Sequence, residues 1–119
     1  MLITNNYGLS MKNISNNETY NKTIKNFTKK TKELLSDNIV DILIYGSVAR
    51  GETHSESDID VIVIVKKNVF GSQMKLASLA FDILMETGEY ISVQTMKAKD
   101  LQRDTIFIRN VRGEAIHAL

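Results

Sequence analysis

The sequence predicts a single small domain of the α/β (α+β) class, in which helices flank a short mixed β-sheet. Three observations predict this fold class. The chain has 119 residues, a length that supports one hydrophobic core. It contains no cysteine, so disulfides and thiolate metal sites are excluded as sources of stability. Finally, segments with helical periodicity alternate with short runs of β-branched residues along the chain.

The N-terminal part predicts a lead-in followed by a helix. Residues 1–16 are rich in Asn and Ser, which indicates a loosely ordered lead-in, and residues 17–119 form the predicted domain. Between residues 17 and 36, lysines separate apolar or small residues that recur at steps of three and four, namely Ile24, Phe27, Thr31 and Leu34. This spacing predicts a helix that lies on a core and ends at the turn-forming pair Asp37-Asn38.

Three segments rich in β-branched residues predict the strands of the sheet. They are residues 39–45 (IVDILIY), 58–67 (DIDVIVIVKK) and 90–96 (YISVQTM). The second contains an unbroken apolar run at residues 61–65, which indicates burial on both faces and therefore a central position in the sheet.

A second helix is predicted between the second and third strands. Its apolar residues share one helical face: Leu76, Leu79, Ala80, Ile83 and Leu84. Ser72 is the predicted N-cap and Gly88 the predicted C-terminal stop. The tail after residue 96 predicts one or two short helices, with room for a small final strand.

The connection between the first two strands carries the candidate functional residues. Asp58 and Asp60 are two positions apart on a strand, so their carboxylates project from the same face, side by side. Two neighbouring anions repel each other unless a cation lies between them. A hard divalent ion with oxygen ligands, Mg²⁺ or Mn²⁺, would satisfy both and leave positions for phosphate oxygens. Each half of this pattern also has a bland interpretation, as a solvated strand end or an ordinary turn.

Gly46 and Ser47, at the exit of the first strand, supply the complementary half. A glycine there lets the backbone turn sharply and approach a ligand closely. If Ser47 opens a short helix, free N–H groups and its hydroxyl face an anion, and Arg50 can bring a guanidinium to the same group one turn later. We therefore expect donors for a triphosphate and ligands for its metal ion to meet at neighbouring strand ends.

The segments GSVARG and SDIDVIVIV resemble the signature of the minimal nucleotidyltransferase (MNT) branch of the DNA polymerase beta-like nucleotidyltransferase superfamily. Gly46 and Ser47 match its phosphate-gripping pair, and Asp58 and Asp60 match its metal-binding, catalytic aspartates. The tail FIRNVRGEAIHAL is similar to its closing segment. The resemblance implies a polymerase beta-like fold and transfer of a nucleoside monophosphate, often AMP from ATP, to a hydroxyl by a two-metal in-line displacement.

The resemblance also implies partners. Many minimal members pair with a small helical protein of the HEPN type, and in such pairs the transferase can act as an antitoxin that modifies its partner with AMP. A homodimer is the other expected assembly, because so small a core leaves exposed edges. Net charge is only +1, so a nucleic-acid substrate is not favoured. The sequence shows neither a signal pattern nor an apolar run of bilayer length, from which we expect a cytoplasmic protein without membrane contact.

One position departs from the family pattern. The superfamily carries a third carboxylate on a later strand, which corresponds here to residues 90–96, and this segment contains no acid. Ser92 or Gln94 stands at the expected place, and Glu89 just precedes the strand, where it is either a solvated turn residue or a substitute acid. Two hypotheses follow: an active transferase, or a nucleotide-binding and partner-docking module with weakened catalysis.

Weaker candidates lie outside this constellation. Six lysines against two glutamates give residues 1–36 a balance of +4, which suits phosphates or an acidic partner but equally a solvated helix face. His54 could contact a nucleotide or be simply exposed. Arg109 and Arg112 lack the aromatic residues of a nucleic-acid surface, which favours salt bridges or capping of the final helix.

Overall fold

A computed structural model describes residues 3–4, 10–11, 18–51 and 58–119 of the chain. The strands among them are β1 (Ile3–Thr4), β2 (Ser10–Met11), β3 (Ile39–Tyr45), β4 (Ile59–Val65), β5 (Ile91–Met96) and β6 (Ile116–His117). The helices are α1 (Glu18–Leu35), α2 (Gly46–Arg50), α3 (Val69–Thr87) and α4 (Ile106–Glu114), with short 3-10 helices at Ser36–Asn38 and Ala98–Gln102.

The main sheet has four strands in the order β5-β4-β3-β6. β3 is antiparallel to both β4 and β6, whereas β4 and β5 are parallel. The parallel pair needs a crossover, and α3 supplies it between the two strands. The predicted mixed sheet flanked by helices is therefore confirmed. The predicted lead-in at residues 1–16 lies outside the described residues, apart from β1 and β2, which pair antiparallel.

The core lies on both sides of β4, as the apolar run at residues 61–65 predicts. All five of these residues are buried. α1 and α3 cover one face of the sheet. Side chains tie α3 to β5: Gln73 of α3 donates to the Val93 carbonyl (3.0 Å) and accepts from the Thr95 hydroxyl (2.7 Å). Thr95 therefore points toward α3. Because neighbours on a strand alternate, Ser92 and Gln94 point to the opposite face.

α1 confirms the predicted amphipathic helix, with one correction. Ile24, Phe27 and Thr31 are buried, but Leu34 is 41% exposed and the next residue, Leu35, is buried instead. At this end of the helix the apolar stripe follows the four-residue step from Thr31 to Leu35 rather than the three-residue step to Leu34. Thr31 and Leu35 therefore lie on the same helical face.

α3 begins one turn earlier than predicted. Asn68 is the N-cap, and its side chain accepts a hydrogen bond from the backbone N–H of Gly71. Asn68 has a φ of 56°, a left-handed conformation that Asn tolerates better than most residues. The predicted cap, Ser72, is buried within the first turn of the helix. Gly88 ends α3 in a left-handed conformation, as predicted. No helix in the described part of the chain is both long and apolar enough to span a bilayer.

Candidate functional site

The turn from β3 into α2 requires a glycine. Gly46 has a φ of 76°, which side-chain-bearing residues rarely adopt. A Cβ added at this position would overlap the carboxylate oxygen Oδ2 of Asp60. The Asp60 carboxylate thus lies directly against the backbone of the turn. The sequence expectation that Gly46 and Asp60 meet at neighbouring strand ends is met by this geometry.

Asp60 belongs to a row of side chains that crosses three strands. It lies opposite Tyr45 in the antiparallel β3–β4 pair and opposite Ser92 in the parallel β4–β5 pair. Residues directly opposite each other share a face of the sheet, so all three project away from α3. Asp58 precedes β4 and is exposed, whereas Asp60 is half-buried. The two aspartates therefore bracket the start of the central strand.

Asp60 is in an unfavourable environment for a negative charge. Burial raises its pKa above the ordinary value of 3.8, and the nearby charges of Asp58 and Glu114 raise it further. Arg50 acts in the opposite direction and lowers it. The net effect is a raised pKa, because one guanidinium does not compensate burial and two neighbouring carboxylates. A bound divalent cation would remove this repulsion.

Tyr45 packs beside the aspartates rather than standing free. Its ring makes an edge-to-face contact with Phe107 of α4, with centroids 5.6 Å apart and planes at 87°. Burial raises the pKa of its hydroxyl, and the charges of Asp60 and Glu114 add to that shift. α4 is thereby fixed against the same face of the sheet that carries Asp60.

Glu114, at the end of α4, is a residue that the sequence interpretation missed. Its Oε1 accepts a hydrogen bond from the backbone N–H of Gly46 at 3.0 Å, and its Oε2 pairs with Nη1 of Arg50 at 2.8 Å. The two donors expected to hold phosphate thus converge on one carboxylate, which demonstrates that they can hold an anion together. Glu114 lies within the tail FIRNVRGEAIHAL, whose family similarity was the one available signal for it.

Ser47 lies in the first turn of α2 and is half-buried. α2 spans five residues and ends at Gly51, whose backbone N–H donates to the Val48 carbonyl at 3.2 Å. The short helix considered at Ser47 is present and begins one residue earlier, at Gly46. His54, in the connection toward Asp58, lies outside the described residues.

The expected third acid has no counterpart on β5. Ser92 is directly opposite Asp60, and Gln94 is one alternation further along the same face. Glu89 does not join the aspartates, because its Oε1 accepts a hydrogen bond from Thr23 of α1 at 3.0 Å. Of its two sequence interpretations, the turn residue is the one that fits, although its carboxylate is anchored to α1. Within residues 18–51 and 58–119, no three acidic or histidine side chains are arranged to hold a metal ion by themselves.

A cavity of about 300 Å³ opens on the face of the sheet that carries Asp60. Gln94 of β5 contributes to its wall, as do Phe107, Thr105 and Arg103 from α4 and the segment before it. Phe107 connects this cavity to the candidate site through its contact with Tyr45.

The two arginines of the tail are used in the fold. Arg109 forms an ion pair with Asp104 at 2.7 Å, and Nε of Arg112 donates to the Leu101 carbonyl at 2.7 Å. Arg109 thus fits the predicted salt bridge, whereas Arg112 bonds the 3-10 helix before α4 rather than capping α4.

Comparison with known proteins identifies the family. A family model described as the nucleotidyltransferase domain matches residues 24–112. Three inferred protein adenylyltransferases of Methanocaldococcus jannaschii are similar to the chain. MJ0141 is 41% identical over 44 residues, which cover 37% of this chain and 44% of that protein. MJ1305 is 28% identical over 89 residues, which cover 72% of this chain and 60% of that protein. MJ1379 is 30% identical over 94 residues, which cover 71% and 94%.

The chain therefore spans about half the length of the first two relatives and nearly all of the third.

Solved structures share the fold. A toxin–antitoxin complex with AMP-PNP matches with a TM-score of 0.58 and 16% identity, covering 80% of this chain and 72% of that one. An inferred nucleotidyltransferase from Sulfolobus solfataricus matches with a TM-score of 0.54 and 19% identity, covering 82% and 77%. A mutant of the toxin–antitoxin MntA-HpeT matches with a TM-score of 0.57 and 14% identity, covering 80% and 72%. Because the family model matches about three quarters of its length and the fold agrees, the chain belongs to the nucleotidyltransferase domain family.

Proposed function

We propose that the chain is a Mg²⁺-dependent nucleotidyltransferase that moves AMP from ATP to a hydroxyl of a partner protein. The observation that carries the proposal is the contact between the Asp60 carboxylate and the Gly46 turn, with Asp58 beside it. This contact brings the candidate metal ligands to the candidate phosphate donors. The names of the three Methanocaldococcus jannaschii relatives support transfer of an adenylyl group to protein.

The donor set of the site suits a hard divalent ion. Asp58 and Asp60 offer carboxylate oxygens, and burial together with the charges of Asp58 and Glu114 raises the pKa of Asp60, so a cation bound there would relieve the repulsion. Mg²⁺ typically uses one or two carboxylates and completes its shell with substrate phosphate oxygens and water, so a third protein ligand is not required. When bound, the ion would polarise the α-phosphate and offset the charge that develops during transfer.

The residues of the chain then act mainly by positioning. The acceptor hydroxyl oxygen attacks the α-phosphorus, the bond from that phosphorus to the bridging oxygen of the β-phosphate breaks, and pyrophosphate leaves. The hydroxyl proton passes to solvent or to a neighbouring carboxylate oxygen. The N–H of Gly46, the hydroxyl of Ser47 and the guanidinium of Arg50 hold the departing pyrophosphate and stabilise its negative charge.

Nucleotide binding would exchange the Glu114 carboxylate for a phosphate group at the same donors. Its carboxylate engages the Gly46 N–H and Arg50, so a phosphate group that takes those donors replaces it. The cavity beside Phe107 and Gln94 has an aromatic ring and an amide in its lining, which suit a nucleobase. Triphosphate and base would then lie along one face of the sheet, on either side of Tyr45.

For the partner, we favour a small helical protein of the HEPN type, with this chain as the antitoxin of the pair in the cytoplasm. Two toxin–antitoxin structures share the fold, which supports the assembly by analogy.

A second candidate function rests on a specific observation: β5 carries Ser92 and Gln94 where the family places an acid. In this alternative the chain binds Mg²⁺ and nucleotide and docks to its partner without efficient turnover. Pyrophosphate release separates the two candidates, because only the transferase produces it.

The test is transfer of label from α-³²P ATP to the partner protein in the presence of Mg²⁺. We expect label on the partner with the native chain, and a loss of about a thousandfold or more with Asp60→Asn. Asp41→Asn is the matched control, because Asp41 lies on the same sheet but away from the site. Equal transfer by native chain and Asp60→Asn would refute the assigned site, whereas nucleotide binding without label or pyrophosphate would select the docking module.

A further inference from the structure

α3 presents a row of large apolar side chains to solvent. Phe70, Met74, Phe81 and Met85 are 77%, 59%, 58% and 69% exposed. Their spacing of four, seven and four residues places all four within about 60° of one another around the helix, at 100° per residue. The buried residues of α3, such as Leu76 and Ile83, lie on the opposite side. The row is therefore a second apolar face, and nothing in the described part of the chain covers it.

The spacing of the apolar positions in the row is symmetric about the middle of the helix. Its centre lies between Ala77 and Ser78, and each apolar residue has a counterpart at the same distance on the other side. Phe70 corresponds to Met85, and Met74 corresponds to Phe81. A helix with this symmetry is complementary to a second copy of itself that runs in the opposite direction.

We propose that this face, defined by Phe70, Met74, Phe81 and Met85 and called the α3 face below, packs antiparallel against the same face of a second copy. Each phenylalanine then meets a methionine, a pairing that sulfur–aromatic contacts favour. The alanine and serine at the centre are small and exposed, so the helix axes approach to the close end of the usual 8–10 Å range.

Charges beside the α3 face support the same arrangement. Lys75 and Asp82 lie on one flank, both are exposed, and neither has an ion-pair partner within residues 18–51 and 58–119. In an antiparallel pair about the Ala77–Ser78 centre, Lys75 of one copy and Asp82 of the other share a flank, about 3 Å apart along the axis. The dimer therefore contains two such pairs. A parallel two-fold pair would bring this flank against the other flank of the partner helix, so these pairs would not form.

The symmetric spacing of the apolar row and the complementary charges beside it identify the occupant as a second copy. An unrelated partner helix would need an apolar row, but it would not require the apolar positions of the α3 face to be symmetric. The location is also compatible with transfer activity. α3 covers the sheet face that carries Thr95, whereas Asp60 and Ser92 lie on the opposite face. Pairing through α3 therefore leaves the candidate site of each copy accessible.

Disulfide cross-linking tests the register directly, because the native chain has no cysteine. In the proposed dimer Ser78 faces its own copy across the two-fold axis, with Cα atoms about 6 Å apart, within the range that a disulfide bridges. We expect Ser78→Cys to form covalent dimers under mild oxidation at least tenfold faster than Lys66→Cys, an exposed cysteine outside α3. Equal rates for the two variants would overturn the proposed register.

Sedimentation equilibrium tests the association itself. One helix of 19 residues buries less area than a standard interface, so we expect a dissociation constant on the order of 10 µM for the native chain. Lys75→Asp and Asp82→Lys are each expected to weaken the dimer about tenfold, and the double variant to restore it. Phe81→Glu is expected to leave a monomer with an unchanged circular dichroism spectrum.

Three outcomes would contradict the proposal: a native chain that stays monomeric at about 200 µM, well above the expected dissociation constant, a dimer that persists in Phe81→Glu, or a charge double variant no stronger than its parents. Assembly only with a different protein, with that protein protecting the α3 face, would assign the surface to a hetero-complex instead and overturn the self-pairing. None of these readouts depends on transfer activity, so the dimer and the proposed function fail independently.

Discussion

Two aspartates lie at opposite ends of the β3–β4 ladder, and their surroundings differ completely. Asp41 is buried, accepts a hydrogen bond from the Ile42 N–H at 2.8 Å, and pairs with Nδ1 of His117 at 2.6 Å. Asp60, at the other end, has Asp58 and Glu114 as charged neighbours and a raised pKa. One end of the ladder satisfies its carboxylate within the fold, whereas the other end accumulates negative charge.

This difference separates a structural acid from a candidate functional one. Carboxylates that serve the fold are paired, because an unpaired buried charge costs stability. A cluster of acids with little compensation persists where a ligand supplies the missing positive charge. The contrast between Asp41 and Asp60 therefore gives a physical reason to assign function to one end of the sheet, independent of any motif.

Exchanging each aspartate gives the largest expected effect. Asp60→Asn is expected to lower transfer about a thousandfold and to raise the free energy of unfolding at pH 7, because it removes charge repulsion. Asp41→Ala is expected to leave transfer within about threefold of native and to cost about 1–3 kcal/mol of stability, because the Ile42 N–H loses its acceptor. Urea denaturation and the label-transfer assay check both. Loss of stability in Asp60→Asn would erase the contrast.

The second effect concerns the turn that holds Asp60 in place. Gly46→Ala introduces a Cβ that overlaps the Asp60 carboxylate at a left-handed φ, and we expect transfer to fall about a hundredfold. Gly51→Ala is the matched control, because Gly51 has a similar φ of 74° but an added Cβ meets none of the described residues within 4 Å. The control should lose about 1 kcal/mol of stability and little activity. Similar activity losses in both variants would attribute the effect to backbone strain alone.

A third variant adds charge to the acidic end. Ser92→Asp places a carboxylate directly opposite Asp60, and we expect about tenfold faster transfer at saturating Mg²⁺ together with a further rise of the Asp60 pKa when the metal is absent. Gln94→Asp, one alternation further along β5, is expected to give a smaller change. If neither variant gains activity, the serine does not limit catalysis.

The smallest effect is on pH dependence. Glu114 raises the Asp60 pKa, so Glu114→Gln is expected to move that pKa toward 3.8. Since the folded pKa exceeds the unfolded one, the stability that Asp60 contributes is present below pH 3.8 and is lost as pH rises through the folded value. The variant should narrow the pH range between the unfolded and folded pKa values of Asp60, over which this stability is lost. Carboxyl NMR titration without metal checks the shift, and an unchanged Asp60 midpoint would contradict the role of Glu114.

Most of the fold could be predicted from the sequence because its elements are locally determined. The continuous apolar run of β4 and the turn residues around it place the central strand, and Gly88 ends α3 where predicted. The errors are local as well. Leu34 and Leu35 are about 100° apart around α1, and either could extend the apolar stripe from the sequence alone, but only Leu35 is buried. Asn68 rather than Ser72 caps α3, because its side chain accepts the Gly71 N–H from a left-handed backbone conformation that the apolar periodicity does not indicate.

The candidate site was predictable only in part. Gly46 and Asp60 could be brought together from strand alternation and the short connection between their strands. Glu114 could not, because it is 68 residues from Gly46 and its place depends on how α4 packs against the sheet. The anchoring of Glu89 by Thr23, 66 residues away, is equally non-local. Neither contact leaves a periodic pattern in the sequence. The boundary of the domain at residue 17 and the roles of the site residues stay predictions.

The carboxylate of Glu114 has a consequence for how strongly salt affects ligand capture. A site whose donors are bare gains its full electrostatic attraction when an anion arrives, and that attraction weakens steeply as ionic strength rises. Here Gly46 and Arg50 already hold an anion, so an incoming ligand trades one negative group for another. A singly charged anion would gain little by displacing the Glu114 carboxylate, whereas a polyphosphate carries enough additional negative charge to displace it. We therefore expect Glu114 to make the site selective for highly charged ligands.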